Sequence, residues 1–209
     1  MFVELIESLR CPNGHEDTAL IASTTRTEAR HIVDGTLGCP TCGAEFLIRD
    51  GILMLSEPRA TTRSESASAE EAMRLAAFLE LTEPRRFALL CGRWGVHAPA
   101  IGDLSSTPLV LVNPSLPPPR DVAAVVLSAA NLPFAKGVAR GVALDEGLSR
   151  ETLASAIATV GDKGRILGPV SLPVPSEVKE LTRDARVWVG EKNAAPETAP
   201  RLVSLKRAR

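Results

Sequence analysis

Tyrosine is absent from the 209 residues, and aromatic side chains of all kinds make up only 3%. Sequence-tolerant binding of single-stranded nucleic acid needs exposed rings on which bases stack. This composition argues against such a platform. The formal net charge is −1, so the whole chain offers no basic field to phosphates, and nucleic acid is not expected as a partner. No apolar run approaches the length of a membrane span. The opening segment, Met1 to Leu9, carries early acidic residues and too short an apolar run for a secretory signal. Cysteine is scarce as well: Cys11, Cys39, Cys42 and Cys91 are the four present. Thiols in such numbers, two of them at knuckle spacing, fit a reducing compartment. The expectation is a cytoplasmic protein with no membrane partner.

Around those few cysteines the chain is strongly patterned. Cys39-Pro40-Thr41-Cys42-Gly43 sets two thiols two residues apart, a spacing that aims both at one metal ion. Pro40 stiffens this knuckle, and Gly43 can take the positive φ such a turn requires. Upstream lies Cys11-Pro12-Asn13-Gly14-His15, again with proline after the cysteine and glycine in the turn. Three cysteines and a histidine in two knuckles read as a tetrahedral zinc site made by Cys11, His15, Cys39 and Cys42. His31 is the rival for the fourth position; it lies in a predicted strand, Arg30-His31-Ile32-Val33, that faces away from either knuckle.

Leu9-Arg10-Cys11-Pro12, the second knuckle and Phe46-Leu47-Ile48-Arg49-Asp50-Gly51-Ile52 together resemble the small zinc-ribbon family that activates methyltransferases. Leu47 and Leu53 stand where that family often has proline. The resemblance covers about the first quarter of the chain. It implies a zinc-bound ribbon that docks on a methyltransferase-type domain. Residues 1–57 hold four arginines and nine acidic residues, a formal −5, against +4 for the rest. An acidic ribbon can seat against the basic second part. Phe2, Leu5, Ile6 and Leu9 recur at helical spacing and predict a short amphipathic helix before the first knuckle. Strands are expected at 19–22, 30–33 and 46–48.

Beyond Ser56 the composition turns abruptly to Ser, Thr, Glu, Arg and Ala, without apolar periodicity. The domain expectation is a zinc ribbon over 1–57, a polar linker over 58–69 and a second domain over 70–209. Ser68 and Glu71 form a capping box for a helix that carries Leu75, Phe78 and Leu79 on one face and stops at Pro84. Strands follow at 87–91, 109–112, 122–127, 138–144, 165–167, 186–189 and 202–205. Helices are expected from Ser149 to Gly161 and from Ser176 to Arg183. Continuous apolar strands separated by helices indicate a mostly parallel sheet covered on both faces. Seven strands ending in a hairpin resemble the class I S-adenosylmethionine-dependent methyltransferase fold. The fold class is therefore α/β: a zinc ribbon plus a trimmed, Rossmann-like sheet ending in an antiparallel hairpin.

On that resemblance the glycine-rich cofactor turn falls at Cys91-Gly92-Arg93-Trp94-Gly95, and the acidic residue that holds the ribose falls at Asn113. Asn131-Leu132-Pro133-Phe134 resembles the family's segment before its fourth strand, and 161–165 its turn into the fifth. Two of the three glycine positions carry Cys91 and Arg93, where the backbone must approach the ligand closely. Arg93 and Trp94 are predicted to fill the ligand's space. Asn113 lacks the charge that strengthens such bonds, and Ser128, where adenine would be met, has no carboxylate. Pro117-Pro118-Pro119 occupies a helix position. Cys91 reads as a core thiol, His97 as a loop residue and Asp145-Glu146 as a solvated pair. No catalytic and no cofactor-binding residues are assigned, and S-adenosylmethionine is not expected to bind in the usual way. The sequence favours a non-catalytic scaffold or activator that binds a protein partner or a second copy of itself. An active methyltransferase with a diverged cofactor site is the alternative.

Overall fold

The computed structural model describes residues 1–56, 66–82, 84, 86–115, 123–128, 131–146 and 148–194. Its strands form one eleven-stranded sheet in the order β1-β2-β3-β4-β7-β6-β5-β8-β9-β11-β10. The strands are β1 Ile21–Glu28, β2 His31–Gly38, β3 Glu45–Arg49, β4 Ile52–Met54, β5 Ala88–Cys91, β6 Leu109–Val112, β7 Ala124–Leu127, β8 Ala139–Ala143, β9 Val160–Pro169, β10 Val178–Arg183 and β11 Val187–Lys192.

The centre of the sheet is parallel because its strands are short apolar runs buried on both faces. Ala88, Leu89, Leu90 and Cys91 are all buried, as are the four residues of β6. Their side chains alternate between two cores. Leu89, Cys91, Val110 and Val126 face one; Ala88, Leu90, Leu111 and Val125 face the other. Helices α1 (Ala69–Phe78) and α2 (Ala98–Leu104) cover the second face, with Ala72, Leu75, Leu79 and Ile101 buried in it. Helix α3 (Arg150–Thr159) covers part of the first through Ala156 and Ile157. Counted from β5, the strands run third, second, first, fourth, fifth, seventh, sixth. The chain thus winds one way from β5 through β6 and β7, then returns to β8 and β9 on the other side. The reversal lies between β5 and β8, the place where open α/β sheets receive ligands beyond the carboxyl ends of their strands.

The ribbon is part of this sheet. Strands β1 to β4 pair antiparallel in sequence. Strand β4 then pairs parallel with β7, Ile52 against Val125, Leu53 against Val126 and Met54 against Leu127. Residues before the first knuckle pack on the face that α3 leaves uncovered. The segment Val3–Ser8 is a 3-10 helix, tighter than the expected α-helix, and it buries Leu5. Its C-terminal flank pairs with the 131–137 loop: the Arg10 N–H donates to the Pro133 carbonyl at 2.8 Å, and the Ala135 N–H to the Ser8 carbonyl at 2.8 Å. Leu9, Leu132 and Phe134 share one core. Ile48 and Leu53, on either side of the Arg-Asp-Gly turn, are buried in that core with Leu89, Val110 and Val126.

Several element expectations need correction. The 176–183 stretch is strand β10, not a helix. Asp184 Oδ1 accepts the N–H groups of Arg186 at 2.7 Å and Val187 at 2.8 Å, an Asx turn that folds β10 back on β11. The sheet thus has an antiparallel pair at that end, made by β10 and β11; the expected strand at 202–205 lies outside the described residues. Gly161 does not end α3, because Val160 already begins β9. Helix α1 ends at Phe78 rather than at Pro84, and Glu80 takes a φ of +50° just after it. Ser68 caps α1 as expected, its Oγ accepting the Glu71 N–H. Most of the 58–69 linker and the triple proline lie outside the described residues. With four ribbon strands added, the sheet is wider than a trimmed domain would give. No helix among the described residues is long and apolar enough to cross a membrane.

Candidate metal centre and the closed switch point

Cys11, His15, Cys39 and Cys42 converge, with one donor atom from each lying within 4.8 Å of all the others. Local backbone geometry accounts for the convergence. Cys39 follows β2, and its N–H and carbonyl are held by Ala44 and Gly43 at 2.9 Å each. Gly43 takes a φ of +69°, which turns the chain back so that Cys42 faces Cys39. Across the site the Cys11 N–H donates to the Thr18 carbonyl at 2.9 Å. The hydroxyls of Thr18 and Thr41 lie 3.2 Å apart and tie the knuckles together.

Tetrahedral zinc with Zn–S bonds of about 2.3 Å sets sulfur ligands roughly 3.7 Å apart, and sulfur from imidazole nitrogen slightly less. Cys11 Sγ and Cys42 Sγ are separated by 3.8 Å, and Cys39 Sγ and His15 Nε2 by 3.5 Å. His15 Nδ1 lies 2.8 Å from the Glu16 carbonyl. That contact puts the proton on Nδ1 and leaves the Nε2 lone pair facing the thiols, the outer support typical of a metal-bound imidazole. The Ala44 backbone N–H first, then the Asn13 amide at 3.3 Å, draw the Cys42 thiol down to about 6, while burial pushes Cys11 up to about 11. The donor set and its spacing fit zinc. His31 stands at the far end of β2, eight residues from Cys39, which is about 26 Å along an extended strand. It bridges to Phe2 instead.

The turn after β5, at residues 91–95, is filled by the chain itself. Gly92 takes a φ of +55°, and a Cβ there would clash with Asp145 Oδ2. That oxygen accepts the Arg93 N–H at 3.0 Å, and Arg93 Nε lies 3.6 Å from Asp145 Oδ1. The Arg93 guanidinium stacks on Trp94, 4.6 Å from the ring centroid. Trp94 is buried and donates its indole N–H to the Leu144 carbonyl at 2.9 Å. The segment just after β8 thereby plugs the turn after β5.

Asn113 follows β6 with a φ of +49°, a conformation asparagine tolerates better than most residues. Its amide donates to the Ser128 carbonyl at 2.7 Å and accepts the Ser128 N–H at 2.9 Å. Both functions of the side chain are spent joining β6 to β7. Of the expected solvated pair, Glu146 is exposed, whereas Asp145 is half-buried and tied to Arg93, and the signal for it was the glycine across from it at 92. His97 is not a loop residue either. It is buried at the end of the 3-10 helix Gly92–His97, its Nε2 3.6 Å from Glu71 Oε2. Cys91 is fully buried in the core, and burial, with the Asp145 charge second, pushes its thiol up to about 12. A thiol so protonated is no nucleophile.

No known protein family matches the sequence, and no curated protein does. Among solved structures, a S-adenosylmethionine-dependent O-methyltransferase from Thermotoga maritima is 11% identical with a TM-score of 0.40, over 78% of each chain. A geranyl diphosphate methyltransferase bound to its substrate and sinefungin is 13% identical with a TM-score of 0.39, over 48% of this chain and 43% of that one. A geranyl diphosphate C-methyltransferase from Streptomyces coelicolor is 13% identical with a TM-score of 0.36, over 48% of this chain and 44% of that one. The chain spans less than half the length of the two geranyl diphosphate enzymes. Likenesses at this level assign no activity and no ligand.

Proposed function

We propose that this chain is a zinc-stabilised, methyltransferase-like scaffold that acts by binding a protein partner or a second copy of itself rather than by catalysis. The observation that carries this reading is the Asp145–Arg93–Trp94 plug at the switch point, where a nucleotide cofactor would need bare backbone. Asn113, engaged with Ser128, adds to it. Zinc held by Cys11, His15, Cys39 and Cys42 fixes the ribbon end of the sheet and supplies structure, not chemistry: four protein ligands leave no open position for a substrate. The face that carries Ile21 and Leu47, 63% and 49% exposed, is available to a partner.

An active methyltransferase is the second reading, favoured by the strand order and its reversal between β5 and β8. One experiment separates the two. Zinc-loaded protein is titrated calorimetrically with S-adenosylmethionine and with its demethylated product, and melted in the presence of each. Neither heat nor a shift in melting temperature is expected, since any ligand of the native state must stabilise it. A micromolar dissociation constant for either compound would replace the scaffold with the enzyme.

A further inference from the structure

The four metal ligands differ in how far solvent reaches them. Cys39 is 3% exposed and belongs to the main core. Cys11 is half-buried, and Cys42 is exposed. The sulfurs of Cys11 and Cys42 lie 3.8 Å apart, yet they come from separate knuckles and sit 31 residues apart in the chain. The Cys39 backbone is held by hydrogen bonds to Ala44 and Gly43, and its side chain is packed in the core. The fourth thiol, Cys91, is sealed in the second half.

From this arrangement we infer that the zinc site is also a site of reversible oxidation, in which a peroxide joins Cys42 to Cys11 as a disulfide and releases the metal. The inference rests on the zinc reading above. The exposed Cys42 thiolate attacks one peroxide oxygen, the O–O bond breaks, and the second oxygen leaves as hydroxide and is protonated to water. Cys42 is then a sulfenic acid. The Cys11 thiolate attacks the Cys42 sulfur, the S–O bond breaks, and the departing hydroxide is protonated to a second water. Two thiolates, one hydrogen peroxide and two protons become one disulfide and two waters. The metal keeps only Cys39 and His15 and dissociates. A bond of about 2.05 Å requires the two sulfurs to close the gap from 3.8 Å. The Ser8–Ala135 and Arg10–Pro133 bonds keep the oxidised ribbon attached to the sheet. A thiol reductant with added zinc restores the site.

The test uses full-length protein of measured zinc content. Hydrogen peroxide is added in stoichiometric steps, released zinc is read with a chromogenic chelator, and thiols and disulfides are mapped by mass spectrometry after alkylation. The expected result is one zinc released per disulfide formed, a Cys11–Cys42 linkage, and free thiols at Cys39 and Cys91. In Cys11→Ser the expected product is a Cys42 sulfenic acid captured by dimedone. A Cys39–Cys42 linkage, first oxidation at Cys91, or zinc retained after disulfide formation would each overturn the inference. Protein that carries no zinc before any peroxide is added refutes the metal reading itself, which keeps the two failures distinct.

Discussion

Asn113 and Cys91 carry sharp expectations at the scale of single residues. Replacing Asn113 by aspartate would supply the carboxylate that a ribose-binding site requires. In this chain it would place a charged oxygen against the Ser128 carbonyl, where the amide now donates at 2.7 Å. Asn113→Asp is expected to cost about 1–3 kcal/mol, the range for a lost bond and an unsatisfied partner, and to leave S-adenosylmethionine unbound. Urea melts and a calorimetric titration check the two parts separately. Cys91 gives a pH dependence. Its folded-state value of about 12 lies above the ordinary 9.0, because the buried thiol resists ionising. Its contribution to stability is therefore complete below pH 9 and is lost as the pH rises from 9 to 12. Cys91→Ala is expected to cost about 1 kcal/mol at neutral pH from lost packing. It should also flatten the alkaline decline relative to wild type, read from urea unfolding at a series of pH values.

At the scale of elements, the shortest strand matters most. Strand β4 has three residues, yet among the described strands it is the one that pairs the ribbon with the parallel sheet, with Leu53 fully buried at its centre. Leu53→Ala is expected to cost about 2–5 kcal/mol. Because β4 lies between β3 and β7, amide exchange should quicken in both neighbours, at residues 45–49 and 124–127. Acceleration confined to the ribbon side would show that β7 holds without it.

This junction also marks the limit of what the sequence makes legible. Strands β5, β6 and β7 announce themselves as apolar runs, since a strand buried on both faces has no polar positions to hide in, whereas β9 runs from Val160 to Pro169 through exposed Asp162 and Lys163 and is marked in the sequence only at 165–167. Ser68 and Ser149 cap their helices as their spacing predicts. The knuckles are equally plain, because metal geometry dictates their spacing. Ile52 to Met54 carries no such mark: its pairing with residues 125–127 is a long-range choice of register with no local signal. β10 reads as a helix because Val178 and Leu181 recur at helical spacing, while only the Asx turn at Asp184 and the pairing with β11 make it a strand. Asp145 is hidden in the sequence for the same reason. An acidic pair after a strand looks solvated until the glycine that receives it is brought alongside by the fold.

For the whole molecule, the decisive fact is that one core serves both halves. Leu5, Leu9, Ile32 and Leu37 from the ribbon pack in the same cluster as Leu89, Val110, Val126 and Phe134. Removing the first 57 residues would strip the cover from one face of β5 to β7 and leave β7 as an open edge. The halves should then unfold together, although the composition break beyond Ser56 marks a domain boundary in the sequence. Calorimetry of the zinc-loaded protein is expected to show a single transition with a van't Hoff enthalpy equal to the calorimetric one. Zinc held at the proposed site would bind the native state alone, so a chelator should shift that transition to lower temperature without splitting it. Cys42→Ser should act in the same direction, and residues 66–209 expressed alone should aggregate through the uncovered face. Two resolved transitions, with only the lower one sensitive to chelator, would instead mean that the shared core is too weak to couple the halves. The ribbon would then be a separate domain that docks on its own sheet as it would on a partner.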